Sequence, residues 1–100
     1  MVIKEVLKEE LDNSLKMEKL YQSQLKKLPK GSLIKKSIGG RLYYYLEFRE
    51  GRKIVFKYVG KQDSGKIQNY QQAKETRLKY KKLLSDVKQQ IRFLRRALNG

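Results

Sequence analysis

Between Arg41 and Lys57 the chain interleaves rings with cations: Arg41, Tyr43, Tyr45, Lys53 and Lys57 fall at alternate strand positions, flanked by Lys35, Lys36, Arg49 and Arg52. Lysine and arginine attract phosphate, and a phenol ring offers a face on which a base can stack. The same residues have a plain structural use, because tyrosine favours strands and lysine blunts an exposed sheet edge. Arg92, Arg95 and Arg96 form a second cationic group. Together these side chains are the candidate contacts with a polyanion.

The charge balance points the same way. Lys and Arg number 25 against 10 Asp and Glu in 100 residues, a formal charge of +15. The excess grows along the chain, from 7 basic and 5 acidic residues over 1–30, to 7 and 2 over 31–60, to 11 and 3 over 61–100. A surplus of this size draws in polyanions without specificity. Cysteine and histidine are both absent, which excludes thiol catalysis, a Ser-His triad, zinc fingers and disulfides. Glu5, Glu9, Glu10, Asp12 and Glu18 lie in one helical stretch, and no other carboxylate pair is spaced for acid-base work. A binding protein with no catalytic residue, cofactor or metal is expected.

Gly60-Lys61-Gln62-Asp63-Ser64-Gly65-Lys66-Ile67 has the spacing of a phosphate-binding loop. Its last position should carry a hydroxyl for magnesium, and Ile67 stands there. A turn followed by a helix cap is the reading preferred. The longest apolar run, Leu42 to Leu46, is three-fifths tyrosine, too short and too polar to enter a bilayer. The chain is therefore expected to be soluble and cytoplasmic, without membrane insertion.

These groups must be held by regular elements. Leu7, Leu11, Ser14, Glu18, Tyr21, Leu25 and Leu28 follow one helical face, widened by Ile3, Val6 and Leu15, and Pro29 ends it. Tyr70, Ala73, Arg77, Tyr80, Leu84, Val87, Ile91, Leu94 and Leu98 form a second a/d series, with Asp63 or Ser64 as its N-cap. A helix of that length needs a partner, and the first helix is the nearest one. A register that sets Tyr21 by Ala73 and Ser14 by Tyr80 also brings Glu18 to Arg77 as a partly buried pair. Lys74, Lys81, Lys88 and Arg95 recur every heptad beside the seam, where pairing with acids of the first helix is the preferred reading over a phosphate track. Leu78 and Phe93 fall outside the seam, available to the sheet or to a second copy in a homodimer.

Between the helices Leu42, Tyr44, Leu46 and Phe48 alternate with Arg41, Tyr43, Tyr45 and Glu47, the pattern of a half-buried strand. Ile54, Phe56 and Tyr58 alternate in the next one. A three-residue loop Arg49-Glu50-Gly51 with a bulge would set Ile54 opposite Leu46 and Phe56 opposite Tyr44. All seven large apolar residues would then share the core face, leaving Lys53 and Lys57 outside with Tyr43 and Tyr45 and pairing Glu47 with Lys53. An earlier strand, about 32–38, pairs through Gly39-Gly40 in a register left open. The expectation is an α+β fold in one domain, 1–100. A helix over 2–28 and a long helix over 64–98 make a coiled-coil-like antiparallel hairpin, with a small two- or three-stranded antiparallel sheet over 32–59 inserted between them.

Leu28-Pro29-Lys30-Gly31-Ser32-Leu33, Tyr43-Tyr44-Tyr45-Leu46, Arg49-Glu50-Gly51, Lys53 and Lys57-Tyr58-Val59-Gly60-Lys61 resemble the core of a family of short, uncharacterised bacterial, phage or mobile-element proteins. The likeness covers residues 28–61, and no activity comes with it. A more distant similarity joins the Tyr-rich strand and the Arg-Glu-Gly-x-Lys turn to the N-terminal sheet modules of transposases and tyrosine recombinases, which implies DNA binding without catalysis. The function expected is thus a non-enzymatic nucleic-acid-binding accessory protein, DNA ahead of RNA, that holds about five phosphates of a duplex with a salt slope near −4.5. Its rivals are an inhibitor or adaptor docking on an acidic protein surface, a CRISPR effector among the candidates, and a self-associating scaffold.

Overall fold

The computed structural model describes residues 2–61 and 65–99. Helix α1 (Val2–Lys27) is followed by strands β1 (Ser32–Ile38), β2 (Arg41–Glu50) and β3 (Lys53–Lys61) and by helix α2 (Gly65–Asn99). The α+β expectation holds, with a three-stranded antiparallel sheet in the order β1-β2-β3. The chain divides into two compact units, one of α1 with α2 from Arg77 onward, the other of residues 28–76. The cap read at Asp63 or Ser64 lies outside the described residues. Among the described residues no helix is long and apolar enough to cross a membrane.

In the helical unit the a/d stripes lie where their spacing puts them. Leu7, Leu11, Ser14, Glu18, Tyr21 and Leu25 on α1, and Arg77, Tyr80, Leu84, Val87, Ile91, Leu94 and Leu98 on α2, are all buried or half-buried. Leu15 widens the α1 stripe, whereas Ile3 and Val6 stand exposed. The helices run antiparallel, but in a different register from the one expected. Tyr21 packs on Tyr80, ring centroids 5.9 Å apart, one heptad beyond Ala73. A groove of about 270 Å³ alongside is lined by Ser14 and Met17 from α1 and by Leu83, Val87 and Gln90 from α2. Glu18 consequently falls level with Leu84 instead of Arg77. A slip of one heptad leaves an a/d seam intact, so the stripes alone do not select the register. Ala73 and Ile67, at 8% and 2% exposure, belong to the unit that holds the sheet, and α1 shares its unit with α2 from Arg77 onward.

In the sheet unit β1 pairs β2 through the two-residue turn Gly39-Gly40, Ile38 opposite Arg41 and Ser32 opposite Glu47. Leu42, Tyr44, Leu46 and Phe48 form the inner face of β2, and Tyr44 and Leu46 are buried there, each 7% exposed. With Ile67 and Ala73 they make up the unit's buried core.

The β2–β3 register corrects the expectation. Glu50 pairs with Lys53 across the two-residue loop Gly51-Arg52, which is one residue shorter than the loop read from sequence. Gly51 has φ 63° and Arg52 is not among the positive-φ residues, the signs of a type II′ turn with glycine at its first central position. Such a turn matches the right-handed twist of a hairpin, and it reverses the facing of β3, because a one-residue change in loop length turns every side chain over. Ile54 now opposes Arg49, Phe56 opposes Glu47 and Tyr58 opposes Tyr45, whereas Val55 opposes Phe48 and Lys57 opposes Leu46. The register steps between Tyr44 and Tyr45, with Gly60 opposite Tyr44, so Val59 is the extra residue of a bulge. A Cβ at Gly51 would meet no atom within 4 Å. Gly51→Ala should therefore cost only the left-handed backbone, about 1–2 kcal/mol, read as a lower urea midpoint with an unchanged slope.

Candidate nucleic-acid interface

The turned-over β3 changes the composition of the outer sheet face. Arg41, Tyr43, Tyr45, Glu47 and Arg49 of β2 are joined there by Ile34, Lys36 and Ile38 of β1 and by Ile54, Phe56, Tyr58 and Lys61 of β3. Ile38, Ile54, Phe56 and Tyr58 are about half exposed, the two aromatics at 49% and 51%. Ile54, Phe56 and Tyr58, expected in the core, thus join Ile38 in an apolar, ring-rich surface open to water. A row of Ile34, Tyr45 and Tyr58 crosses all three strands, bordered on one side by Lys36, Tyr43 and Lys61 and on the other by Ser32, Glu47 and Phe56.

Ring contacts hold this surface together. Tyr58 meets Tyr45 edge-on with centroids 5.5 Å apart, and lies tilted 6.3 Å from Tyr43. These contacts explain why Tyr43 and Tyr45 are half-buried although they stand on the outer face. The ammonium of Lys36 reaches diagonally over two rings, 5.0 Å from the centre of Tyr45 and 4.7 Å from that of Phe56. Cation–π attraction of this kind contributes about 0.5–1 kcal/mol at an exposed site. It also places the Lys36 ammonium against both rings.

The residues singled out from sequence separate into four groups. Lys36, Arg41, Tyr43, Tyr45 and Arg49 share the outer face. Lys35 opposite Tyr44, Lys57 opposite Leu46 and Lys53 opposite Glu50 belong to the inner face, contrary to the expected placement of Lys53 and Lys57 beside Tyr43 and Tyr45. The shorter turn is the physical reason. On the edge strands Lys35 and Lys57 are exposed, where long stems can cover the apolar margin while the ammonium stays in water. Arg52 occupies the turn itself. Arg92, Arg95 and Arg96 are exposed on α2 and belong to the helical unit. The outer-face residues missed from sequence are Ile34, Ile38, Ile54, Phe56, Tyr58 and Lys61. Gly51 at the first place of a two-residue turn was the signal that could have found the three on β3 which follow directly from the shorter loop.

The last position of the Gly60–Ile67 motif can be placed. Ile67, in the position where a hydroxyl would be required, is the most deeply buried large side chain among the described residues, and its packing gives that position a core role.

Residues 3–69 match the model of a family described as a domain of unknown function (DUF6788). No curated protein and no solved structure matches the chain.

Proposed function

The chain belongs to the DUF6788 family, and we propose that it is a non-enzymatic accessory protein that binds nucleic acid through the outer face of its sheet. The observation that carries this reading is the meeting of Lys36, Arg41, Arg49 and Lys61 with the half-exposed rings of Phe56 and Tyr58 on one face. Cations contact phosphate and rings contact bases, so capture is electrostatic and orientation comes from stacking. The chain's +15 charge supplies long-range attraction, to which exposed Arg92, Arg95 and Arg96 contribute from the helical unit. No bond is made or broken. An accessory role in a phage or mobile element is what the resemblance of residues 28–61 implies.

Purified protein titrated against a labelled oligonucleotide from about 50 to 300 mM salt tests the proposal. Log affinity should fall linearly with log salt. A flat response would defeat it. The competing occupant, an acidic protein surface, is also salt-sensitive, so a pull-down is repeated after nuclease digestion. Partners lost on digestion support nucleic acid, and a partner that survives at unchanged yield argues for protein docking.

A further inference from the structure

We infer that the strand captured on this face is single-stranded, an inference that rests on the nucleic-acid reading above. A duplex presents phosphates and groove edges, and it keeps the faces of its bases stacked out of reach. Phosphate-tracking surfaces want cations at their centre. Here the strand positions at the centre are the apolar row Ile34, Tyr45 and Tyr58 with Phe56 and Glu47 beside it, while the cations take positions around it: Arg49 beyond Glu47, Arg41 beyond Tyr43, Lys61 on one edge strand, and Lys36 on the other, from which its ammonium reaches inward over Tyr45 and Phe56. A surface with rings inside and cations outside fits a chain whose bases are splayed onto protein and whose phosphates run along the rim.

Spacing supports the same ligand. Successive outer positions on one strand, such as Tyr43 and Tyr45, repeat about every 7 Å, twice the roughly 3.4 Å per charge along one strand of a duplex. An extended, unstacked strand can set one base at each ring row, and a stacked one cannot. Accessibility supports it too. The Lys36 ammonium over the faces of Tyr45 and Phe56 occupies a place where a flat base can lie, and a flexible lysine can yield that place and turn to a phosphate.

The experiment compares full-length protein binding to labelled oligo-dT of about 15 nucleotides, oligo-rU of the same length and a duplex of the same length, by fluorescence anisotropy at about 50 mM salt. Either single strand should bind about tenfold more tightly than the duplex, and the stronger of the two identifies DNA or RNA as the ligand. For about four phosphates the slope of log affinity against log salt should be near −2.8. Phe56→Ala and Tyr58→Ala should each weaken single-strand binding about fivefold or more and leave duplex binding unchanged. Tyr58→Phe, which keeps the ring, should bind as wild type. Both rings are half exposed, and circular dichroism checks that each variant is folded. Duplex binding equal to or tighter than single-strand binding, or single-strand binding indifferent to both ring deletions, overturns the inference while leaving nucleic-acid binding intact. Absence of binding to all three probes overturns the nucleic-acid reading and this inference with it.

Discussion

Gly31→Ala is expected to lower the melting temperature by about 12–24 °C, far more than the same change at Gly51. Gly31 has φ 106°, a conformation that costs a residue with a side chain about 1–2 kcal/mol. A Cβ there would also stand 2.9 Å from Cγ of Leu46, 3.1 Å from its Cδ1 and 3.0 Å from the carbonyl oxygen of Glu47. Leu46 is buried and Glu47 pairs with Ser32 at the start of β1, so neither neighbour can retreat without disturbing the core or the ladder. Overpacking of that kind costs about 1–3 kcal/mol. The sum is about 3 kcal/mol, and for a domain of this size each kcal/mol shifts the melting temperature by about 4–8 °C. Calorimetry of Gly31→Ala and Gly51→Ala side by side separates backbone strain from collision. Equal shifts would mean that Leu46 yields freely and that the close approach of Gly31 has no energetic weight.

Gly31 also shows how local and distant constraints divide the legibility of this fold. The α1 stripe from Leu7 to Leu25 and the α2 stripe from Arg77 to Leu98 are readable because each is a periodicity within one element, and burial follows it residue by residue. The turn of β1 into β2 at Gly39-Gly40 is readable from the two glycines, but the register of that pair is not. Two further registers differ from their expectation. The helical one is degenerate in its stripes, because moving Tyr21 from Ala73 to Tyr80 still sets one a/d stripe against the other, although it separates Glu18 from Arg77, and Ile67 and Ala73 belong to the sheet unit. The β2–β3 register was misread by assuming that all large apolar residues share the core. Val55 and Val59 alternate with Ile54, Phe56 and Tyr58, so both faces of β3 carry apolar side chains and hydrophobicity alone does not decide between them. Turn geometry does, and it puts the larger set outside. That is also why the candidate site was only half legible: Arg41, Tyr43 and Tyr45 follow from alternation within β2, whereas Phe56, Tyr58 and the exclusion of Lys53 and Lys57 depend on a loop one residue shorter.

The same register makes the two sheet faces separable at constant net charge. Lys36→Glu with Arg41→Glu, and Lys53→Glu with Lys57→Glu, each exchange two cations for two anions on the same unit, so both lower long-range attraction by the same amount. Only the first pair lies on the outer face with the exposed rings. Each phosphate contact to a single strand contributes about 0.7 to the salt slope, or about fivefold in affinity at 0.1 M relative to 1 M salt. Loss of two contacts should therefore weaken binding about 25-fold and reduce the slope by about 1.4. The second pair, exposed at the margin of the inner face, should weaken binding less than fivefold and leave the slope near its wild-type value, because a change in long-range field removes no bound phosphate. Titrations of both double variants between about 50 and 300 mM salt distinguish the possibilities. If the Lys53 and Lys57 variant suffers the larger loss of slope, the contact surface is the lysine-edged inner margin and the ring-bearing face is not where the polyanion sits. If the two variants lose affinity equally and keep the same slope, attraction is diffuse, and the aromatic face serves some purpose other than holding a nucleic-acid strand.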